Sequence, residues 1–193
     1  MLEQLLTLVQ EQAQNTIVSN PAIPNERNEE AISEVSGNIA AGLQQAMASG
    51  HGADVLRLLS GKGGDVASNP VAQDISGNTI QALMNKFGLN STQAGSIVSQ
   101  LLPSVLQQFI SKTNNPNDNS INLQGILSEL TGGAAGGLDV QGLVNKLSQG
   151  GLDRDGDGDV DLQDALHLLK GGAGQQQQGS GGLANLVKGL FGK

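Results

Sequence analysis

The chain of 193 residues has no cysteine, no tryptophan and no tyrosine, and it has only three phenylalanines. The absence of cysteine excludes disulfide bonds, thiolate zinc sites and cysteine nucleophiles. Because aromatic residues are almost absent, a hydrophobic core has to be built from Leu, Ile, Val, Ala and Met. Hydrophobic residues make up 37% of the sequence, which predicts a thin core for a chain of this length.

Basic residues are also scarce: ten Lys and Arg stand against 18 Asp and Glu, a formal charge of −8. Six of the acidic residues lie between positions 153 and 164. The chain lacks both the basic stripe that neutralises phosphates and the aromatic side chains that stack on bases. We therefore expect no nucleic-acid partner.

No apolar run in the sequence approaches the roughly 20 residues of a membrane span. The first residues carry Glu3 where a secretory signal has positive charge, and their apolar runs are too short for such a signal. We therefore expect a cytoplasmic protein, with unconventional export as the alternative.

Apolar residues recur every three or four positions in the first part of the chain, which predicts amphipathic α-helices. The first helix starts at Leu2 and ends before Pro21. The second is capped by Asn25 and runs to about Ala48, and a short helix follows at 54–59. The predicted inner face of the second helix consists of Ile32, Val35, Ile39, Leu43 and Met47.

Two longer helices follow in the prediction. One opens at Asn69 with proline as its first residue and ends near Gly88. The next is capped by Asn90 or Ser91 and carries the widest apolar stripe of the sequence, which we expect at the centre of the core. This stripe consists of Ala94, Ile97, Val98, Leu101, Leu102, Val105, Leu106, Phe109 and Ile110.

Two short repeats are present. Residues 35–38 (VSGN) match residues 75–78 (ISGN), and duplication and chance stay equally open as explanations. Gly37 and Gly77 would then lie inside helices, where glycine costs about 1 kcal/mol relative to alanine. We expect close packing of helices as the reason for these two glycines.

The second repeat has three copies, at 121–126 (INLQGI), 138–143 (LDVQGL) and 160–165 (VDLQDA). Each copy predicts the start of a short helix with Asn or Asp as its cap. The third copy belongs to an acidic segment with a different chemistry.

Residues 153–164 (DRDGDGDVDLQD) match the twelve-residue calcium loop of EF-hand proteins. Ca²⁺ takes about six to eight oxygen ligands, so carboxylates alternate at the first, third and fifth positions. Gly158 permits the sharp turn at the sixth position, and Val160 at the eighth faces the core. The predicted metal ligands are Asp153, Asp155, Asp157, Asp159 through its backbone carbonyl, Asp161 directly or through water, and Asp164.

The loop departs from the common pattern at Asp164, where most calcium loops have the longer glutamate. The shorter side chain predicts a lower coordination number and weaker discrimination against Mg²⁺. The alternative is a solvated acidic turn, but six carboxylates repel one another unless a cation screens them. Residues 114–125 resemble a degenerate sister loop, with Asn114, Pro116 and Asp118 at ligand places, which we expect to be empty.

About twenty residues around the loop resemble the calcium half-motif of dockerin modules, which also end in aspartate and lead into a short helix, here at about 161–169. That resemblance implies a cohesin partner, although dockerins have two loops. The Asn-Pro helix openings, the Ser-Gly-Asn helices and the stretch LLPSVLQQF at 101–109 resemble the YidB-like family of uncharacterised bacterial proteins. The combination of an acidic loop with a glycine-rich tail is similar to that of family members from the Bacteroidetes. The family implies an all-α fold and no established activity.

The predicted architecture is all-α, with five consecutive parts. A YidB-like helical bundle occupies 1–130, and a glycine-rich connector follows at 131–137. A calcium-loop-plus-helix element occupies 138–170, a flexible Gly/Gln linker 171–182, and a short amphipathic helix 183–193.

We expect no enzymatic activity. The only histidines are His51, between two glycines, and His167, on the helix after the loop, and neither suggests the constellation of a hydrolase. The leading hypothesis is a non-catalytic interaction or structural protein whose folding is coupled to one Ca²⁺, with an unknown protein partner or a second copy. The alternative is a scaffold or peripheral attachment protein that docks through 183–193, on a protein in preference to a membrane.

Overall fold

A computed structural model describes residues 1–61, 64–115 and 122–133. Within these ranges the chain forms helices and no strand, so the predicted all-α fold is confirmed. A π-helix at Gln14–Val18 and 3₁₀ turns at Asn25–Arg27 and Val66–Ser68 connect the longer elements. The α-helices are α1 (Leu2–Gln12), α2 (Asn28–Ala48), α3 (Gly52–Leu59), α4 (Pro70–Phe87), α5 (Ser91–Thr113) and α6 (Leu123–Leu130).

Four of these helices form the bundle. Helices α1 and α4 each pack against both α2 and α5, so the four helices follow one another around a shared core. Helix α3 contacts α2, α4 and α5, and α6 packs on α2. All five residues of the predicted inner face of α2 are buried, as is the predicted stripe of α5 except for the partly buried Ile110.

The core is aliphatic, as the composition requires. Phe109 on α5 is its fully buried aromatic side chain, and the same cluster of buried residues contains aliphatic side chains from α1 to α6. Burial of such side chains is the dominant favourable term in folding, at roughly 25 cal/mol per Å² of apolar surface. The apolar spacing of each helix therefore explains which face it turns inward.

The predicted starts of α4 and α5 are confirmed. The Asn69 Oδ1 accepts hydrogen bonds from the backbone amides of Val71 and Ala72 at 2.9 and 3.4 Å, and Gly88 ends α4 with a left-handed φ of 70°. Asn90 caps α5 in a reciprocal arrangement with Gln93. These side chains satisfy amides that have no partner within the helix.

The predicted start of α2 was early by two residues, since a cap at Asn25 places the first helical residue at Glu26. Asn25 opens a 3₁₀ turn, and the α-helix begins at Asn28. The Asn25 side chain accepts a 3.5 Å hydrogen bond from the Asn28 side chain and caps no backbone amide. Helix α3, by contrast, starts two residues earlier than expected, at Gly52.

The expectation about the repeated glycines was wrong. A Cβ atom placed on Gly37 or Gly77 would meet no neighbouring atom within 4 Å, so neither glycine is needed for close packing. The close approach lies at Gly42, where a Cβ would overlap the Cγ1 of Ile75 on α4. The glycine that the packing requires therefore lies five residues beyond the repeated one.

Candidate functional site

The predicted calcium loop lies outside the described residues. This applies to all six predicted ligands, Asp153, Asp155, Asp157, Asp159, Asp161 and Asp164, and to the linker and terminal helix that follow them. Within 1–61, 64–115 and 122–133, no group of three or more His, Asp or Glu residues is placed to hold a metal ion. The described part of the bundle thus offers no second candidate for the ion.

The flanks of the predicted sister loop at 114–125 are described. The Asn114 side-chain amide donates to the backbone carbonyls of Leu59 and Ile110, both at 2.7 Å. At the other flank, the Asn122 Oδ1 accepts from the Gly125 amide at 2.7 Å and caps α6. Both asparagines therefore fix helix ends, and Gly125 at the closing position has no side chain to offer an ion.

Helix α6 contains the first copy of the threefold repeat, and it shows which residues of that copy are buried. Its predicted cap, Asn122, is confirmed, and the helix lies against α2. Its buried face consists of Leu123, Ile126, Leu127 and Leu130. The corresponding positions of the second copy hold Val140, Leu143, Val144 and Leu147, and those of the third hold Leu162, Ala165, Leu166 and Leu169. All three copies therefore carry the same apolar spacing behind an Asn or Asp residue.

The most developed polar arrangement in the described structure joins the start of α2 to the end of α4. The Arg27 Nε donates to the Glu30 carboxylate at 2.8 Å, and its Nη2 donates to the Lys86 carbonyl at 3.0 Å. The Arg27 guanidinium also lies 4.4 Å from the centre of the Phe87 ring. Lys86 Nζ lies 2.7 Å from Glu34 and 3.7 Å from Glu30. We call these five residues the α2–α4 latch.

The charges of the latch support one another. The hydrogen bond from Arg27, with the charges of Arg27 and Lys86, lowers the pKa of Glu30 below its ordinary value of 4.5. The hydrogen bond to Glu34 and the charges of both glutamates raise the pKa of Lys86 above 10.5. The four charged side chains are half-buried or exposed, retaining 23–45% of their accessible surface, and ion pairs with this much solvent contact are worth little individually. The α2–α4 latch therefore has a structural role, in which several weak contacts together connect the start of α2 to the end of α4.

Two further features lie in the described part of the chain, a histidine and a cleft. His51 is exposed, in the turn where it was predicted, and its Nδ1 lies 3.5 Å from Asp54. A shallow cleft of about 250 Å³ lies between α3 and α5, with Leu58, Val66 and Ile110 in its wall. Its most buried polar residue, Asn69, is already engaged as the cap of α4.

The fold defined by these contacts is an all-α helical bundle. Comparison of the chain with protein-family models, with curated proteins and with solved structures found no match. The YidB-like and dockerin-like resemblances therefore stay predictions. Among the helices that the structure describes, none combines the length and the apolar character needed to cross a membrane.

Proposed function

We propose that this chain is a calcium-binding, non-catalytic protein with an interaction or structural role, and that it holds one Ca²⁺ in residues 153–164. The observation that carries the proposal is the pattern of six aspartates around Gly158 and Val160. Carboxylate oxygens at alternate positions, with glycine at the sharp turn, are the donor set that a hard cation such as Ca²⁺ requires. The same set, without sulfur or nitrogen ligands, disfavours zinc and copper.

The first copy of the threefold repeat supports this proposal, because the third copy overlaps the end of the calcium loop. In α6 the side chain of Asn122 caps the helix by accepting from the amide three residues later. Asp161 occupies the corresponding place in the third copy. We expect its carboxylate to lie between the ion and the first turn of a helix at 162–169, so that ion binding favours helix formation.

The energetic consequence is a coupling of metal and fold. An ion that binds only the folded chain adds about 2.7 kcal/mol at a free concentration one hundred times its dissociation constant. The free energy of unfolding of natural domains is roughly 5–15 kcal/mol, so this amount is a sizeable part of it. A structural role and a sensor role would both use this coupling.

Calorimetric titration of the metal-stripped chain with Ca²⁺ tests the proposal. We expect one saturable site whose affinity falls at least about tenfold in Asp153→Asn and in Asp157→Asn, because each removes a ligand charge. Asp139→Asn is the matched control, since it removes the same charge outside the loop, and its affinity should equal that of the native chain. Absence of heat with Ca²⁺, or equal affinity in all three variants, would overturn the proposal.

A second candidate role rests on the segment 183–193. Leu183, Leu186, Val187, Leu190 and Phe191 fall on one face at helical spacing, which suits docking on a protein partner or on a second copy. Sedimentation of the native chain and of Leu190→Glu tests self-association through this face. Association that disappears in Leu190→Glu would support it, and a native chain that stays monomeric would exclude self-association.

A further inference from the structure

Two large apolar side chains on α1 are exposed in the described structure. Leu2 retains 51% and Leu6 38% of its accessible surface. They lie one helical turn apart, so their side chains are neighbours on the helix surface. The pair borders Leu5 and Val9, which are fully buried. The exposed pair is therefore adjacent to the core along one side of α1. We call Leu2 and Leu6 the α1 strip.

The start of α1 lies close to the end of α6. The amino group of Met1, the residue before Leu2, lies 2.8 Å from the Glu129 carboxylate, near the end of α6. From Gly133, the last described residue of this region, to position 138 the chain spans at most about 17 Å. The second copy of the repeat therefore begins within reach of the α1 strip.

The second copy matches the strip in its apolar side chains, and it is neutral overall, with Asp139 against Lys146. It carries the apolar spacing that α6 buries against the bundle, at Val140, Leu143, Val144 and Leu147. Its Lys146 stands at the place of Glu129 in α6. Helix α1 has Glu3 and Glu11 and no basic side chain, so a helix with a lysine suits it better than one with another acid.

We propose that residues 138–148 form a second short helix that packs its apolar face on the α1 strip and extends the bundle by one unit. This inference rests on the repeat and on the position of α6, and it does not depend on calcium binding. The terminal segment 183–193 is also apolar. However, it begins 45 residues further along the chain than the second copy, and a longer connection lowers the effective concentration of a tethered segment.

Because the native chain has no cysteine, disulfide trapping in the full chain tests this docking without interference. We expect Leu6→Cys combined with Val144→Cys to form an intramolecular disulfide at least about tenfold faster than Leu6→Cys with Asn145→Cys, which lies off the apolar face. A third pair, Leu6→Cys with Leu190→Cys, measures whether the terminal segment 183–193 approaches the α1 strip instead. Equal rates in the first two pairs, a faster third pair, or covalent dimers in place of internal closure would each overturn the proposal.

Hydrogen exchange provides an independent measure. Leu6→Glu places a charge on the strip, and we expect faster exchange of the amides in 139–147 by about tenfold, because the helix loses its docking surface. Thr7→Glu introduces the same charge at the adjacent exposed position of α1 and should leave these amides unchanged. Fast exchange of 139–147 already in the native chain would contradict the docked helix.

Discussion

Single residues determine how closely two helices of this bundle approach. Gly42 allows α2 to meet Ile75 of α4, and Ile75 is fully buried with a branched side chain that has little freedom to move. The repeat directed attention to Gly37 and Gly77 because a match between two segments is visible in sequence. A steric contact between helices is not visible there, since it depends on their rotation and crossing.

Substitution of these glycines by alanine should have opposite effects. We expect Gly42→Ala to lower the free energy of unfolding by about 1–3 kcal/mol, because the added methyl group overpacks the α2–α4 contact. Gly37→Ala, in the same helix and with open space around its Cα, should raise it by about 0.5–1 kcal/mol through helix propensity. Urea unfolding monitored by circular dichroism measures both. A Gly42→Ala variant as stable as Gly37→Ala would refute the contact.

Individual helices were the most predictable level of this structure. The starts of α4, α5 and α6 follow from Asn69, Asn90 and Asn122, because a short side-chain acceptor before an apolar helix satisfies the free amides of its first turn. The start of α2 was misplaced because Asn25 and Asn28 bond to each other. Competition between two nearby polar side chains is a local detail that a residue pattern does not resolve.

The cap of α6 gives a prediction about the whole repeat. Asn122→Ala should expose the first turn of α6 and increase amide exchange there, with a cost of about 0.5–2 kcal/mol. Asn122→Asp should preserve protection, because aspartate accepts the same hydrogen bond and occurs at this place in the other two copies. Hydrogen exchange followed by mass spectrometry over 123–130 is the measurement. Equal protection in the alanine and aspartate variants would show that the cap is unimportant.

The α2–α4 latch predicts a pH dependence that resides in Glu30. Its lowered pKa, caused first by the hydrogen bond from Arg27, means that the carboxylate favours the folded state above its ordinary pKa. This contribution disappears as the pH falls below 4.5 and through the lowered value. Glu30→Gln should therefore be less stable than the native chain at neutral pH, and the difference should shrink in acid.

Urea midpoints at a series of pH values measure this difference. Glu29→Gln is the control, because Glu29 makes no ion pair with any residue in the described ranges, and its midpoint should follow that of the native chain. A Glu30→Gln deficit that stays constant from neutral to acid pH would contradict the role of the charge. The latch itself was not predicted, since its two halves are distant in sequence.

At the scale of the whole molecule, the sequence predicted an all-α bundle and the inward faces of α2 and α5. The order in which the helices surround the core could not be predicted, because apolar periodicity identifies a face and says nothing about its neighbour. The calcium loop is the reverse case: its chemistry is readable from the spacing of Asp153, Asp155 and Asp157 around Gly158, and it lies outside the described residues.

The central claim is that one Ca²⁺ is held by residues 153–164, and counting bound ions tests it most directly. Native mass spectrometry of the full chain in Ca²⁺ should show one ion per chain, and a much smaller bound fraction for Asp157→Asn at the same concentration. The Asp139→Asn control should retain the ion. A native chain without a bound ion, or an ion that persists unchanged in Asp157→Asn, would contradict the account.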